Sequence, residues 1–179
     1  MDLKKLSVEM CYILRHNPTG YNINDFGFID INEILEKLNI DLETLMTIVN
    51  KDNKNRYEFK NNMIRCRQGH SIDVILELEP QIPPEFLLHG TTQYSFNKIL
   101  ESKFIKKMTR NYVHLTDNLE TAMQVAERRK NNPVVLVINT KIIKNIFYLS
   151  TNNVWLTDDI PHIAICKYYI PPYKIEMFI

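Results

Sequence analysis

The segment EPQIPP at residues 79–84 decides how this chain is divided, because it separates two stretches with different hydrophobic patterns. Its three prolines do not fit the interior of a helix or a central strand. We therefore predict a boundary here, with one unit at residues 1–80 and another at residues 85–179. A chain of 179 residues has room for two small domains of this kind.

Helices are predicted first on the N-terminal side of the boundary. Leu3, Leu6, Met10 and Ile13 recur at helical spacing, and this first helix must end near Pro18. Asp30, followed three positions later by Glu33, resembles a capping box that opens a second helix through INEILEKL. Asp41 is placed to cap a third helix through LETLMTIV.

A hairpin is predicted next, in NRYEFKNNMIRCR (55–67), where polar and apolar residues alternate on both sides of Asn61 and Asn62. A two-residue turn there gives one apolar and one charged face. The predicted pairs are Phe59 with Ile64, Tyr57 with Cys66, Glu58 with Arg65, and Arg56 with Arg67. Helices followed by a hairpin resemble a winged-helix module in the order of their elements.

The pattern changes after the boundary, where short apolar strands alternate with two helical stretches. Asp117 with Glu120 resembles a capping box at the start of the second of these helices, LETAMQVAERR. The C-terminal unit is therefore predicted to be rich in strands, and the whole chain to be α+β. The strands are predicted in FLLHG, YVHLT, PVVLVI, IFYLS, NVWLT and IAICKYYI.

Charge and composition limit the class of protein. Lys and Arg total 22 against 21 Asp and Glu, so any grip on nucleic acid has to be local. Cys11, Cys66 and Cys166 are odd in number and widely spaced, as expected for reduced thiols. The N-terminal sequence lacks a signal-peptide pattern and no apolar run is long enough to cross a membrane. We expect a soluble, cytoplasmic protein.

Arg15 and His16, in LRHNP, stand side by side at the end of the first predicted helix. The exposed carbonyls there favour a charged imidazolium, and the pair could bind a phosphate dianion. Both residue types are also common in the last turn of any helix, which is an equally ordinary explanation.

A second group of cations belongs to the hairpin. Lys54 and Arg56 are two apart and share a strand face, and the predicted register adds Arg65 and Arg67 to that side. The group could be a cationic patch for phosphates or the solvated face of an edge hairpin. Gly69, in RQGHS, could let the backbone approach a ligand closely, or could simply serve a turn.

Two strand ends carry histidines and hydroxyls. His89 in LLHGTT and His114 in YVHLT could share a site at the sheet edge, although each could also be a structural histidine bonded to backbone. The sequence has no glycine-rich phosphate loop, no zinc-ligand spacing and no serine nucleophile elbow. The remaining inventory of Arg, His and Lys suits the stabilisation of an anionic phosphate, and no metal is expected.

Taken in order, LRHNP, FGFIDINEIL, KNRYEF, IRCRQGHS, LLHGTT, YVHLT, VAERRKNNPVVL and NNVWLT resemble the tRNA 2′-phosphotransferase family along nearly the whole chain. The resemblance implies a winged-helix-like lobe at 1–80 that holds RNA. It also implies an ADP-ribosyltransferase-like lobe at 85–179 that holds NAD. The chain departs from the family pattern at Phe28, Tyr112 and Asn153, where the family usually has Trp or Tyr, His, and Gly.

The resemblance also implies site residues. The catalytic positions are Arg15, His16, Arg56 and Arg128, of which Arg128 is distinguished from its neighbour Arg129 by the VAERR motif. The NAD-pocket positions are His89, Gly90, Thr91, His114 and Thr116, and Lys54 is an auxiliary cation beside Arg56. The hairpin register, rather than the resemblance, adds Arg65 and Arg67 as further RNA-phosphate auxiliaries.

The implied reaction has two steps and needs no general base for the first. The RNA 2′-phosphate attacks the ribose carbon that carries nicotinamide, oriented by Arg15, His16 and Arg128. The new ribose 2″-hydroxyl then attacks that phosphate, with Arg56 and Lys54 neutralising charge and His16 protonating the leaving oxygen. The products are RNA with a free 2′-hydroxyl, ADP-ribose 1″,2″-cyclic phosphate and nicotinamide.

The expected partners are RNA with a 2′-phosphate and NAD, with no membrane, and we expect a monomer. Two other classes stay open. A plain ADP-ribosyltransferase acting on protein or nucleic-acid ends would use the same C-terminal lobe, but it would not need RHNP or KNRYEF. A winged-helix regulator would bind nucleic acid without chemistry, but INEILEKL lacks the basic residues of a recognition helix.

Overall fold

The computed structural model combines helices with antiparallel sheets in an α+β arrangement and divides into two units. It describes residues 2–128, 132–170 and 174–177, the last range as backbone alone. The first unit contains Met1–Glu77 and Thr109–Asn111, and the second contains Leu78–Met108 and Tyr112–Ile179. The division falls just before the proline-rich segment at 79–84. The return of residues 109–111 to the first unit depends on long-range packing, which sequence order does not reveal.

The first unit packs helices against a small antiparallel sheet, in which the strand Met63–Cys66 lies between Ile29–Asp30 and Tyr57–Lys60. Met10, Leu14, Ile34, Leu45 and Ile64 are completely buried between the helices and the sheet. Its elements are α1 at Leu3–Arg15, β1 at Ile29–Asp30, α2 at Ile31–Leu38, α3 at Leu42–Asn50, β2 at Tyr57–Lys60 and β3 at Met63–Cys66.

The predicted hairpin is confirmed, with β2 and β3 paired in the expected register. Asn61 and Asn62 have φ angles of +48° and +60°, as a two-residue turn of type I′ requires. The backbone N–H of Arg67 donates to the carbonyl oxygen of Arg56 at 2.8 Å, which extends the pairing. The prediction of a solvated charged face is wrong for Arg65, which is buried.

The helix starts are partly as predicted. Asp30 and Asp41 cap α2 and α3, accepting hydrogen bonds from the backbone N–H groups of Asn32 and Thr44. The capping box that paired Asp30 with Glu33 is wrong. The Glu33 carboxylate accepts instead from the backbone and side-chain nitrogens of Asn22, each at 3.1 Å. This carboxylate fastens the loop before β1 rather than the first turn of α2.

The second unit is built on antiparallel strands, and the six strands predicted there are all confirmed. Its elements are β4 at Phe86–Thr92, α4 at Gln93–Ser102, β5 at Phe104–Ile105, β6 at Val113–Leu115, α5 at Leu119–Glu127, β7 at Pro133–Asn139, β8 at Phe147–Leu149, β9 at Trp155–Thr157, β10 at Ile160–Pro161, β11 at Ile165–Ile170 and β12 at Lys174–Met177. One sheet has the order β12-β11-β7-β4, another has the order β6-β9-β8, and β10 pairs with β5.

Helix α5 packs against β4 and β7 of this unit. Its predicted capping box at Asp117 is wrong by one residue. The cap is Asn118, whose side-chain oxygen accepts from the backbone N–H of Thr121 at 2.8 Å. None of the helices in the described ranges is long and apolar enough to cross a membrane.

Candidate active site

Arg15 ends α1 and its guanidinium lies against the backbone of Gly69. A Cβ added at Gly69 would lie 3.3 Å from both Cζ and Nε of Arg15, and the φ of Gly69 is +92°. The carbonyl oxygen of Arg15 accepts from the backbone N–H of Ser71 at 2.9 Å, so the RQGHS loop is fastened to the end of the helix. The close approach expected at Gly69 is therefore made to Arg15.

His16 is the C-cap of α1. Its Nδ1 and the Ser71 hydroxyl are 3.0 Å apart and hydrogen-bonded. Burial lowers the pKa of His16, and the positive charges of Arg15 and Arg110 lower it further. The expectation that the helix end favours the charged imidazolium is therefore wrong, because desolvation and neighbouring cations outweigh the helix carbonyls.

Arg56 is held by the carboxylate of Asp52, whose side chain is only 1% exposed. The two side chains form an ion pair through Nη1 of Arg56 and Oδ1 of Asp52. Asp52 also accepts from the backbone N–H of Arg56 at 2.6 Å and from that of Lys54 at 3.3 Å. Asn55, between them, takes a φ of +44°. This turn fixes the backbone of both predicted cations and the direction of the Arg56 guanidinium.

The other two predicted phosphate contacts, Arg65 and Arg67, are paired with acid. Arg65 is 6% exposed and donates from Nη1 to the carbonyl oxygen of Phe26 at 2.9 Å. Its Nε and Nη2 each lie 3.2 Å from Oε2 of Glu58, and Nη1 of Arg67 lies 3.7 Å from the same oxygen. These contacts give Arg65 a structural role, while phosphate binding by either residue stays a prediction.

The positive charges of Arg15 and Arg56 both act on the thiol of Cys11. A hydrogen bond from Cys66 lowers the pKa of Cys11 to about 6, helped by the positive charges of Arg15 and Arg56 and opposed by burial. Both guanidinium groups therefore act electrostatically on this thiol. Two of the predicted catalytic cations therefore face one region of the first unit.

His70 completes this region, and sequence reasoning did not single it out. It is 1% exposed, and neither ring nitrogen has a hydrogen-bond partner among the described residues. Burial lowers the pKa of His70 to about 3, with further lowering by Arg15, Arg65 and His16. The ring is therefore neutral, and it adds no positive charge to the region.

Asp52, Ser71 and Arg110 were also missed. An Asx turn at Asp52 was readable from its position two residues before Lys54, because an aspartate accepts backbone bonds at that spacing. Arg110 had no such signal. The segment at 109–111 joins the first unit through Asn111, whose backbone N–H donates to the carbonyl oxygen of His70 at 3.1 Å. This hydrogen bond holds the segment that carries Arg110, which is distant from His16 in the sequence but whose positive charge acts on it.

In the second unit, the structure brings the two histidine-bearing strands together. Nδ1 of His89 donates to the carbonyl oxygen of His114 at 3.0 Å. Leu88 and Thr116 exchange backbone hydrogen bonds of 2.7 and 3.0 Å, which joins the end of β6 to β4. Nδ1 of His114 donates to the carbonyl oxygen of Tyr112 at 3.0 Å. Since a carbonyl only accepts, both rings carry a proton on Nδ1, and a neutral ring has its lone pair on Nε2.

Two small residues beside these histidines have structural roles: Gly90 in packing and Thr116 in a hydrogen bond to the backbone. A Cβ at Gly90 would lie 2.2 Å from the carbonyl oxygen of Ala122 and 2.9 Å from the nitrogen of Ala126, so only glycine lets α5 approach β4. The hydroxyl of Thr116 accepts from the backbone N–H of Asn118 at 3.2 Å. Thr91 is half-buried on β4. Contact of these residues with NAD stays a prediction.

Arg128 directly follows α5 as its C-cap, and its side chain is exposed. Arg129, the neighbour from which the motif distinguishes it, lies outside the described residues. The two arginines therefore differ by motif alone, and the choice of Arg128 stays a prediction.

The three departures from the family pattern have local explanations. Phe28 supplies an aromatic ring 4.4 Å from the guanidinium carbon of Arg65. Tyr112 packs edge-on against Tyr148 at 5.7 Å between ring centroids. Asn153 has a φ of +58°, a left-handed conformation that asparagine adopts more readily than most residues other than glycine.

Comparison with known proteins assigns the family. The sequence model of the protein family described as "RNA 2′-phosphotransferase, Tpt1 / KptA family" matches residues 2–159. The chain belongs to this RNA 2′-phosphotransferase family. A protein from Fusobacterium nucleatum is 42% identical over 169 residues, covering 88% of this chain and 94% of its own. One from Acetivibrio thermocellus is 39% identical over 175 residues, covering 90% and 94%. Both carry the description "Probable RNA 2′-phosphotransferase".

Proposed function

We propose that this chain is an NAD-dependent RNA 2′-phosphotransferase. It would move an internal RNA 2′-phosphate to NAD through an ADP-ribosylated RNA intermediate, giving RNA with a 2′-hydroxyl, ADP-ribose 1″,2″-cyclic phosphate and nicotinamide. The observation that carries the proposal is the fixed arrangement of cations in the first unit: Arg15 lies against Gly69, His16 is bonded to Ser71, and Arg56 is bound to the buried Asp52. A chain with a net charge of only +1 gathers these cations in one unit, as recognition of a phosphate dianion requires.

The first unit would hold the RNA as a winged-helix-like lobe, and the second would hold NAD as an ADP-ribosyltransferase-like lobe. The adjoining ends of β4 and β6 support the second assignment. The imidazoles of His89 and His114, with the hydroxyl of Thr91, offer donors and acceptors that fit ribose hydroxyls and phosphates. NAD would supply the electrophile, the ribose carbon bonded to nicotinamide.

In the first step, the protein's task is orientation. Arg15 would hold the 2′-phosphate with a guanidinium that is itself held against Gly69. His16, fixed by Ser71, would bind the same dianion. The lowered pKa of His16 reflects burial, Arg15 and Arg110, and a bound dianion would counter those cations and raise it again. RNA binding would therefore load the proton that the second step needs. By the family motif, Arg128 would also help to orient the reactants.

In the second step, charge builds on a phosphodiester that is already anionic. Arg56 would neutralise this charge, in an orientation set by the buried Asp52, and Lys54 would assist from the same turn. His16 would donate its proton to the departing RNA 2′-oxygen.

The overall proposal is tested by incubating the protein with a short RNA that bears one internal 2′-phosphate, with and without NAD. We expect loss of the phosphate only when NAD is present. Arg15→Ala should abolish it, while Lys5→Ala, which removes an exposed cation from the same helix, should not. Phosphate loss without NAD would indicate a phosphatase, and a stable ADP-ribosyl adduct on unphosphorylated RNA would indicate a plain ADP-ribosyltransferase.

The division of labour between the steps has its own test. In the double variant Lys54→Ala with Arg56→Ser, the second step should slow by about 10² or more. RNA carrying a 2′-phospho-ADP-ribose adduct should then accumulate as a slower gel band that needs NAD. Lys51→Ala with Lys60→Ala removes two exposed lysines of the same unit and serves as the control. Starting RNA left untouched by the first variant would place the pair in binding or in the first step.

A further inference from the structure

Two cysteine side chains meet beside the predicted catalytic cations. Cys11, on α1, and Cys66, the last residue of β3, have their sulfur atoms 3.8 Å apart and share a hydrogen bond. Both belong to the first unit and to its core. A disulfide bond requires about 2.05 Å between sulfurs, so the pair is in van der Waals contact and needs an approach of less than ~2 Å to bond.

The two thiols are chemically unequal. Cys11 is partly exposed, whereas Cys66 is completely buried. The hydrogen bond from Cys66 and the charges of Arg15 and Arg56 lower the pKa of Cys11 to about 6, while burial raises the pKa of Cys66. The lowered pKa favours the thiolate of Cys11, which is the form that reacts with oxidants. Tyr57, which donates its hydroxyl to the carbonyl oxygen of Ser7 at 3.1 Å, stays neutral because burial raises its pKa.

We propose that Cys11 and Cys66 form an oxidation site, in which a peroxide converts the two thiols into a disulfide bond. The Cys11 thiolate attacks one peroxide oxygen, the O–O bond breaks, and a sulfenic acid and hydroxide form. The Cys66 sulfur then displaces the sulfenic oxygen and loses its own proton. In total, two thiols and one hydrogen peroxide give one disulfide and two water molecules.

The bond would act on the candidate active site, and this part of the inference rests on the proposed function. Cys11 lies four residues before Arg15, one helical turn away on the same face of α1. Formation of the S–S bond draws this turn of α1 towards β3. The movement strains the close packing of Arg15 on Gly69. Because displacement of a positioning group by ~1 Å can cost on the order of 10² in rate, we expect at least a tenfold loss of RNA 2′-phosphotransferase activity. Dithiothreitol should restore it.

The bond itself is tested on the full-length protein without RNA or NAD. Treatment with dilute hydrogen peroxide should lower the number of free thiols from three to one, with Cys166 remaining. Mass spectrometry should show the peptides of Cys11 and Cys66 linked. Cys166→Ser is the matched control and should form the same link. Cys11→Ser should form none, and Cys66→Ser, which keeps a hydrogen-bond donor beside Cys11, should leave a sulfenic acid at Cys11 that dimedone traps.

Three free thiols after treatment, or a link that involves Cys166, would overturn the proposal. A Cys11–Cys66 link with unchanged activity would overturn its effect on the enzyme. If the reduced protein has no RNA 2′-phosphotransferase activity at all, the proposed function fails, and the link is still judged by the thiol count and the peptide masses. The two claims therefore fail separately.

Discussion

Asp52→Asn is the substitution that most sharply tests the described geometry. The variant keeps the shape of the side chain but removes the charge that orients Arg56. One carboxylate accepts from the Arg56 guanidinium, from the Arg56 backbone N–H and from the Lys54 backbone N–H. An asparagine has a single acceptor oxygen, and its NH₂ group would face a donor. The turn should lose its hold on Arg56 while the core beneath it stays intact.

The size of the effect follows from the contacts. A hydrogen bond to a charged group contributes about 1.5–3 kcal/mol, and the Arg56 side chain is 28% exposed, so water replaces part of what is lost. We expect a stability loss on the order of 2 kcal/mol. Turnover should fall about ten- to hundredfold, because Arg56 remains but is misplaced. The KM for RNA should change little, since Arg15 and His16 keep their own partners.

The assay is single-turnover conversion of 2′-phosphorylated RNA with NAD, followed on a gel that separates substrate, adduct and product. Asp52→Asn should lower the rate of the second step and let the adduct accumulate. Asp41→Asn is the control, because Asp41 also accepts a backbone N–H, from Thr44 at 2.8 Å, and asparagine caps helices well. Equal turnover in the two variants, or a change in KM alone, would refute the positioning role of Asp52.

Three further predictions follow. Gly90→Ala should destabilise the protein by about 3 kcal/mol or more in thermal or urea unfolding, because its Cβ would lie 2.2 Å from the carbonyl oxygen of Ala122; an unchanged midpoint contradicts this packing. Arg128→Ala should abolish turnover and Arg129→Ala should nearly preserve it; equal losses would refute the motif assignment. The pKa of His70 is lowered from 6.5 to about 3, so the unfolded chain takes up this proton first. The stability from neutral His70 is present above about pH 6.5 and falls by up to about 1.4 kcal/mol per pH unit as the pH drops towards 3. Urea unfolding should show a shallower pH slope in His70→Leu, and an identical slope in the two proteins would rule this out.

Local rules predicted much of the fold. The hairpin register followed from alternation around Asn61 and Asn62, and the strands of the second unit followed from short apolar runs. The errors lie where a side chain had a choice of partners. Glu33 bonds Asn22 rather than the helix start, and Asn118 caps α5 in place of Asp117. In each case the sequence offers two chemically equivalent hydrogen bonds, and only tertiary packing determines which one forms.

The same distinction applies to the candidate site. Arg15, His16 and Arg56 could be found from motifs, but their settings could not. Burial and the distant Arg110 lower the pKa of His16, and neither is visible at LRHNP. The neutralisation of Arg65 by Glu58 follows from the predicted register, but its burial depends on the loop that carries Phe26. Positions could be predicted, whereas protonation and exposure depend on long-range contacts.

The fate of the phosphorus atom tests the central claim most directly. RNA with a radiolabelled internal 2′-phosphate is incubated with the protein and NAD, and the small products are separated by chromatography. The proposed function requires the label to leave the RNA in ADP-ribose 1″,2″-cyclic phosphate, together with an equal amount of nicotinamide. Label recovered as inorganic phosphate, or label that stays on the RNA while nicotinamide is released, would contradict it.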